Sequence, residues 1–190
     1  MPKQIVFITG NPDKAREVQS YTKIPITHAK IEVPELQSPS LKQVVEYKAK
    51  EAFRLWKQQN REPAAILVED TSLVFHAWGK LPGTFIRFFV DEVDNQGLID
   101  MLEKFDNKNA TASTAFALTE DGEKVTVFQG FAEGTITDKP RGDNGFGWDK
   151  IFIPNAGNGR TWAEMSANEK QKESMRAKAL RAFEKFLKTY

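Results

Sequence analysis

Two short apolar segments, separated by a long amphipathic one, constrain the fold of this chain most. Residues 4–9 (QIVFIT) and 64–70 (AAILVED) are rich in aliphatic side chains, and such short apolar runs are typical of strands buried on both faces. Between them, residues 40–58 repeat apolar side chains at helical spacing, and Ser40 stands in the N-cap position. This alternation of strand, helix and buried strand predicts an α/β fold.

The rest of the chain adds antiparallel strands and further helices. Residues 110–137 predict two antiparallel strands that turn at the Asp-Gly pair of residues 121–122, and residues 150–154 predict a last strand. Helices are predicted over residues 95–105 and from about residue 166 to residue 188. The sequence therefore predicts a mixed sheet within a single domain of 190 residues.

Composition excludes several classes of function. The formal net charge of +1 argues against a general nucleic-acid binder, which normally carries a basic excess. With no cysteine and only His28 and His76 as imidazoles, the chain has no disulfide framework, no thiolate nucleophile and no zinc site built from Cys and His. No apolar run approaches 18 residues and no signal-peptide pattern opens the chain, so we expect a cytoplasmic protein that binds no membrane.

The first chemical signal is TGNPDK, residues 9–14. It follows a predicted strand and opens a helix, with Asn11 as N-cap and Pro12 at the first helical position. The N–H groups and the positive dipole end of such a helix favour an anion such as phosphate. Lys14 lies in that first turn, where a cation is unfavourable unless something negative is bound. The alternative is an ordinary capped helix.

Two cations lie on helix faces that are otherwise apolar. Lys48 falls between Val44 and Ala52 on the apolar stripe of its helix, and Arg176 is aligned with Leu180 on the last helix. A cation directed into a core needs an anion or a cleft, and two such cations suggest a shared polyanion. The alternative is that each stem runs along the core while its charged end reaches solvent.

Carboxylates supply the opposite charge. Glu69 and Asp70 end the predicted strand 64–70, and in open α/β sheets ligands bind beyond the carboxyl ends of strands. Adjacent strand residues point to opposite faces, so at most one of this pair is expected at a given site. Glu35 precedes the helix that carries Lys48. Carboxylates beside lysines predict Mg²⁺ with substrate phosphates, the alternative for Glu35 being a plain surface carboxylate.

Residues 140–150 (PRGDNGFGWDK) combine glycines with aromatic rings and a carboxylate. Phe146 and Trp148 offer flat faces on which a nucleotide base can stack. Gly147 lets the backbone approach that ring, and Asp149 can accept hydrogen bonds from it. The segment therefore predicts the base site of a nucleotide whose phosphates lie near the lysines. The alternative is a glycine-rich turn whose aromatic rings belong to the core.

Seven motifs now point to one family. In chain order they are TGNPDK, VPELQ, VEDTSL, LPGTFIRFF, PRGDNGFGWDKIFIP, AEMSANEK and SMRAKAL. Together they resemble the inosine triphosphate pyrophosphatase family, over nearly the whole chain. The resemblance implies a two-lobed α/β fold with a long mixed central β-sheet flanked by helices, a substrate cleft between lobes, and a homodimer. It also implies Mg²⁺-dependent hydrolysis of the nucleoside triphosphates ITP, dITP or XTP to the monophosphate and pyrophosphate.

The same resemblance implies roles for individual residues. It implies substrate contacts at Thr9, Gly10, Asn11, Pro12, Asp13, Lys14, Lys48, Thr71, Arg87, Phe146, Gly147, Trp148, Asp149, Lys170, Met175 and Arg176. It further implies that Asp70 is the proton acceptor and that Asp70 and Glu35 bind Mg²⁺. Arg87 stands where the family often has lysine, and Met175 stands where it usually has histidine. Since Arg176 only donates hydrogen bonds, it suits the 6-oxygen of hypoxanthine or xanthine better than the 6-amino group of adenine.

Two other functions remain open. A septum-inhibitor-type nucleotide pyrophosphatase would cleave other nucleotides on a similar fold, but the FGWD segment and the C-terminal Ser-x-Arg segment argue against it. A non-catalytic binding module for nucleotides or nucleic acids belongs to another class. Balanced charge disfavours its nucleic-acid version, and the pair of Glu35 and Asp70 disfavours a passive binder.

Overall fold

The computed structural model describes residues 4–23, 25–59 and 61–189, over which strands and helices alternate. The strands are β1 (Ile5–Ile8), β2 (Ile26–Ala29), β3 (Ala65–Phe75), β4 (Pro82–Gly83), β5 (Asn109–Thr119), β6 (Thr126–Ile136) and β7 (Phe152–Pro154). The helices are α1 (Pro12–Tyr21), α2 (Leu41–Gln58), α3 (Ile86–Leu102), α4 (Ala167–Glu173) and α5 (Met175–Leu187). Within the described ranges, no helix is both long and apolar enough to cross a membrane.

The strands form a mixed sheet in the order β2-β1-β3-β5-β6-β7, with β4 paired to β3. β1 is parallel to both β2 and β3, whereas the pairs β3–β4 and β6–β7 are antiparallel. β5 and β6 are neighbours joined by residues 120–125, a connection too short for a parallel crossover, so this pair is antiparallel as well. The predicted α/β class with a mixed sheet is confirmed.

Tertiary contacts divide the chain into two compact units. The first unit comprises Met1–Asp70, Thr114–Gln129 and Ala179–Tyr190. The second comprises Thr71–Ser113 and Gly130–Lys178. The long strands β3, β5 and β6 each contribute residues to both units. Within the single domain that the sequence predicts, each unit has a core of its own.

The first unit buries an apolar layer on each face of its strands. Val6 of β1 belongs to one layer, together with Val45 of α2. The next residue, Phe7, belongs to the other layer, with Val18 of α1 and Phe183 of α5. Successive strand residues point to opposite faces, so a strand covered on both sides must be apolar throughout. This explains why the four residues of β1, Ile5–Ile8, form an unbroken apolar run.

The second unit has one core, built around aromatic rings. The rings of Phe152 and Trp162 lie 4.5 Å apart, and the ring of Trp148 lies 5.5 Å from that of Trp162. Small side chains of β5 and β6, among them Ala112 and Ala132, belong to the same cluster. Because alanine side chains are small, the sheet surface leaves room for the large rings to pack closely against it.

β3 is longer than the sequence predicts. Its residues after Asp70 pair with β4, so the strand continues to Phe75. Asp70 therefore lies inside the strand, beyond Leu67, the last residue of β3 that pairs with β1. The prediction that a strand ends at Asp70 was wrong, because β3 continues beyond its pairing with β1 and pairs with β4 there.

The predicted C-terminal helix over residues 166–188 is two helices. The backbone leaves the helical region at Ser174, with φ −65° and ψ 150°, which ends α4. The Ser174 hydroxyl then accepts a hydrogen bond from the backbone N–H of Ala177 at 3.2 Å, which caps α5. This break places Met175 and Arg176 in the first turn of a new helix.

Two further differences concern elements that begin earlier or were missed. α3 begins at Ile86, whereas the sequence predicts a helix only from residue 95. Its backbone is interrupted at Asp94, whose carboxylate accepts hydrogen bonds from the backbone N–H groups of Gln96 and Gly97. The predicted helix thus corresponds to the part of α3 that Asp94 caps. The sequence does not predict the short strand β2.

Candidate active site

The loop from β1 to α1 has the predicted capping arrangement. The Asn11 side chain accepts hydrogen bonds from the backbone N–H groups of Asp13 at 2.9 Å and Lys14 at 3.3 Å, and Pro12 opens the helix. Asp13 also forms an ion pair with Arg16. Two N–H groups of the first turn already have acceptors, so they are less available to a phosphate than the sequence suggests. The ammonium group of Lys14 is the stronger attraction for an anion.

Lys14 extends from the first turn of α1 to two carboxylates of β3. Its Nζ atom lies 3.2 Å from Glu69 Oε2 and 3.9 Å from Asp70 Oδ1. Both carboxylates thus lie near one lysine, because its long flexible side chain reaches both. Only Asp70 of the two has exposed side-chain surface, so the prediction that at most one of the pair faces a given site stays a prediction. Sequence analysis also did not assign a role to Glu69, although a buried glutamate is itself a signal, since charged side chains are rarely buried unless paired.

Lys48 approaches the same carboxylates from α2. Its Nζ atom donates a hydrogen bond to Asp70 Oδ2 at 3.2 Å and lies 3.5 Å from Glu35 Oε1. Burial opposes the charge on Lys48, but Asp70 and Glu35 outweigh burial, and the pKa of Lys48 lies above its ordinary value. Lys48 is therefore a paired cation rather than a solvent-reaching stem, and Glu35 is part of a cluster rather than an isolated surface carboxylate.

The cluster of Lys14, Lys48, Glu35, Glu69 and Asp70 carries three negative and two positive charges, a net of −1 when all are ionised. Among the residues the structure describes, no three acidic or histidine side chains are arranged to hold a metal ion. Lysines lie between the carboxylates instead. The donor set nevertheless suits Mg²⁺, which binds through one or two carboxylates together with substrate phosphates.

A second charged group lies in the second unit. The carboxylate of Asp149 accepts a hydrogen bond from Lys170 Nζ at 2.6 Å and another from the backbone N–H of Phe146 at 3.0 Å. Both charged side chains are buried, which is consistent with a tightly paired ion pair. A β-carbon on Gly145 would lie 2.1 Å from Asp149 Oδ2, so the bend of this loop around the carboxylate requires glycine.

Phe146 forms the aromatic part of this group. Its half-buried ring lies 5.2 Å from Lys170 Nζ and 5.6 Å from the guanidinium carbon of Arg176. Both cations are thus within the range of a cation–π interaction with one ring. Arg176 is 2% exposed, which confirms that it faces inward on its helix. The structure therefore brings together four of the predicted base-site residues: Phe146, Asp149, Lys170 and Arg176.

Two predicted site residues are part of the core. Trp148 is 8% exposed and packs against the rings of Phe152 and Trp162, so the prediction that its ring offers a face to a base was wrong. Met175 is 3% exposed and belongs to the same apolar cluster. For residues 140–150, the alternative was that the aromatic rings belong to the core, and this describes Trp148. Substrate contacts at these two residues stay predictions.

The remaining predicted residues lie outside both charged groups. Arg87 is on α3 with its side chain 76% exposed, and it lies 3.5 Å from Asp91 in an ion pair. Thr71 is half-buried and follows Asp70 directly in β3. Gly147 has a positive φ of 60°, and a β-carbon there would meet no atom within 4 Å. Substrate contacts at these three residues stay predictions.

Comparison with known proteins identifies the family. A model of the Ham1 family matches residues 5–186 of this chain. The chain belongs to the Ham1 family. The inosine triphosphate pyrophosphatase 2 of Trypanosoma cruzi (strain CL Brener) is 39% identical over 179 residues, which span 93% of this chain and 88% of that protein. The inosine triphosphate pyrophosphatase of Yarrowia lipolytica (strain CLIB 122 / E 150) is 41% identical over 187 residues, 96% of this chain and 95% of that protein.

Solved structures of Ham1 proteins share the fold. A HAM1 protein from Coxiella burnetii superposes with a TM-score of 0.82 at 27% identity, covering 100% of both chains. The Ham1 protein of Staphylococcus aureus has a TM-score of 0.80 at 22% identity, covering 98% of this chain and 99% of that one, and supports the fold alone. The family resemblance inferred from the seven motifs is therefore confirmed.

Proposed function

We propose that this Ham1-family chain hydrolyses ITP, dITP and XTP to the nucleoside monophosphate and pyrophosphate, using Mg²⁺. The observation that carries the proposal is the cluster of two lysines and three carboxylates at Lys14, Lys48, Glu35, Glu69 and Asp70. It lies in a chain whose relatives, 39% and 41% identical, bear the name inosine triphosphate pyrophosphatase. Removal of deaminated purine nucleotides from the nucleotide pool is the corresponding role.

The two lysines bind the phosphates. A triphosphate carries about four negative charges, which positive groups must neutralise both in binding and in the transition state. Lys14 and Lys48 are the cations of the cluster, and each lies close to at least two of its carboxylates. When the phosphates bind, they take over these ammonium groups as hydrogen-bond donors. The carboxylate of Asp70 is then released from its lysine partners.

Asp70 is the proposed base. Its released carboxylate accepts a proton from a water molecule that attacks phosphorus in line with the leaving group. Glu35 and Asp70 would hold Mg²⁺, which supplies neutralisation of phosphate charge when bound. Glu69 has no exposed side-chain surface and lies 3.2 Å from Lys14. Its contribution is to orient Lys14 and not to contact water.

The base site belongs to the second unit. Arg176 carries five N–H donors and no acceptor, so it suits the 6-oxygen of hypoxanthine or xanthine. Adenine would place an amino donor there instead, and an unmet charged donor costs about 1.5–3 kcal/mol or more. Phe146 lies within 6 Å of both cations of this site and offers the base an apolar surface. Asp149 keeps Lys170 in position.

We also propose a cytoplasmic homodimer, since the proposed substrates are intracellular nucleotides and the motifs resemble a dimeric family. Several large apolar side chains of the second unit are exposed, and association would remove such side chains from water. They are Leu81, Phe88, Val93, Met101, Phe105 and Phe131. Light scattering that gave a mass near 21.5 kDa would contradict the dimer.

A pyrophosphate-release assay tests the activity. We expect kcat/KM for ITP, dITP and XTP to exceed that for ATP by at least tenfold, the factor that corresponds to about 1.4 kcal/mol. GTP, CTP and UTP complete the panel, and each reaction is run with and without Mg²⁺. Pyrophosphate release that prefers ATP or a pyrimidine nucleotide would contradict the proposed substrates. Pyrophosphate release that is unaffected by chelation of Mg²⁺ would contradict the proposed metal dependence.

Met175→His is expected to change the ratio of kcat/KM for ITP over GTP by less than about tenfold. The side chain at position 175 packs in the apolar core, and Arg176 stays in place next to it. One neutral hydrogen bond to the base is worth about 0.5–1.5 kcal/mol, which corresponds to at most about tenfold in this ratio. Guanine shares the 6-oxygen of hypoxanthine, so the proposed contact of Arg176 is the same for both substrates in wild type and variant. A wild-type protein that hydrolyses GTP or ATP as well as ITP, and becomes selective only in this variant, would show that position 175 sets specificity.

A further inference from the structure

A histidine of the edge strand contacts the loop that precedes α1. The Nε2 atom of His28, on β2, lies 2.9 Å from the backbone carbonyl oxygen of Thr9. A carbonyl oxygen only accepts hydrogen bonds, so the imidazole must donate from Nε2. Thr9 also donates its backbone N–H to the carbonyl of Ala29 at 3.2 Å, and its hydroxyl accepts from the N–H of Asn11 at 3.1 Å. All these groups belong to the first unit.

The His28 side chain replaces a backbone hydrogen bond that would otherwise continue the parallel pairing of β1 and β2. In such a ladder, one residue bonds through its N–H and its C=O to two residues of the neighbouring strand that lie two positions apart. Thr9 bonds through its N–H to Ala29, so its carbonyl would next accept from residue 31. β2 ends at Ala29, however, and the imidazole of His28 donates to this carbonyl instead.

This hydrogen bond fixes the direction of the next N–H group. The carbonyl of Thr9 and the N–H of Gly10 belong to one planar trans peptide, in which they point to opposite sides. β1 lies between β2 and β3 in the sheet, so a carbonyl directed towards β2 leaves the Gly10 N–H directed towards β3. That is the strand which carries Glu69 and Asp70. Gly10 also borders open space, since a β-carbon there would meet no atom within 4 Å.

We propose that His28 is a positioning residue, which holds the Thr9–Gly10 peptide so that the Gly10 N–H faces the substrate phosphates. A glycine restricts its own backbone less than any other residue, so this peptide needs an external hydrogen bond to keep one orientation. Two N–H groups of the α1 first turn are already bonded to Asn11, which makes the Gly10 donor more important to a phosphate. The proposal rests on the proposed function, because it takes the ligand to be a triphosphate.

The test compares His28→Leu, which removes the donor, with His28→Gln, whose amide N–H reaches a similar distance. We expect His28→Leu to raise the KM for ITP about three- to tenfold and to weaken binding of inorganic pyrophosphate, measured by calorimetry, by a similar factor. The value of kcat should stay within about twofold, because the donor contacts phosphate in both ground and transition states. His28→Gln should restore both values to within about twofold of wild type.

His76→Leu is the matched control. His76 belongs to the second unit, where it contacts Thr111 and Glu133, so its replacement should leave the KM for ITP unchanged. A wild-type KM in His28→Leu, or equal losses in the Leu and Gln variants of His28, would overturn the positioning role. Failure of the proposed function is seen separately, as a wild-type protein that releases no pyrophosphate from ITP.

Discussion

Asp70→Asn is expected to lower kcat for ITP by at least about a hundredfold while the protein stays folded. General-base catalysis typically contributes a factor of about 10²–10⁴, and an amide does not accept the proton of the attacking water. Asparagine keeps the shape of the side chain, and each lysine retains a carboxylate partner, Glu35 for Lys48 and Glu69 for Lys14. Steady-state kinetics, with circular dichroism to verify the fold, measures the effect.

Glu69→Gln is the matched control, because it makes the same chemical change at the neighbouring residue of β3. The Glu69 side chain has no exposed surface, so it does not contact the attacking water. We expect this variant to keep at least about a tenth of the wild-type kcat, since its role is to orient Lys14. Asp70 would not be the base if its Asn variant kept more than a tenth of kcat, or if Glu69→Gln proved the more damaging of the two.

Local signals predicted α1, α2 and the starts of β1 and β3 in the first unit, but not β2. The N-caps Asn11 and Ser40 and the first-turn Pro12 are where the sequence places them, because capping depends on neighbouring residues alone. The apolar runs at the start of β1 and β3 were also recognisable. β1 and residues 65–68 of β3 are covered on two faces, and this demands apolar side chains at each of these positions.

The missed features depend on how elements pair and pack with one another. β3 extends past Asp70 because β4, which follows it in the sequence, pairs with its later residues. The helix break at Ser174 has no proline or glycine to mark it, and serine is compatible with either a helix or a cap. Strand-pairing partners and helix ends of this kind are set by tertiary packing, and the spacing of apolar residues in the sequence does not reveal that packing.

In the candidate site, too, some features were predictable from the sequence and others were not. Charge predicted the cluster around Lys48 correctly, because a cation on an apolar face needs anionic partners. The aromatic rings were not distinguishable by sequence, since Phe146 and Trp148 are two residues apart and equally suited to a base or a core. The structure places Phe146 beside Lys170 and Trp148 among the core rings.

Lys48→Met is expected to raise the KM for ITP at least tenfold and to lower the melting temperature of the nucleotide-free protein. The first effect follows from loss of a charged hydrogen bond to phosphate, worth about 1.5–3 kcal/mol. Sequence alone suggests that methionine would suit the apolar stripe of α2 and stabilise the protein. The structure reverses that expectation, because Lys48 lies within 3.5 Å of both Asp70 and Glu35 and its removal takes a cationic partner away from each carboxylate.

The sign and size of the stability change follow from this charge balance. Without Lys48 the cluster holds three carboxylates and one ammonium, and removing one partner of a partly buried ion pair is destabilising, though less than for a fully buried pair. A loss of 1 kcal/mol lowers the melting temperature of a domain of this size by about 2–4 °C, so we expect a decrease of at least about 3 °C. Mg²⁺ should raise the melting temperature of the variant more than that of the wild type, because a cation can replace the missing charge.

Lys42→Met on the same helix provides the control. The Lys42 side chain is 64% exposed and lies 3.7 Å from Glu46 in a surface pair, which contributes little to stability. Its replacement should change neither the KM nor the response to Mg²⁺. If Lys48→Met melted at or above the wild-type temperature with an unchanged KM, Lys48 would neither bind phosphate nor balance the carboxylates. If it melted lower with an unchanged KM, Lys48 would be a structural partner of Asp70 only, and Lys14 would be the cation that binds the triphosphate.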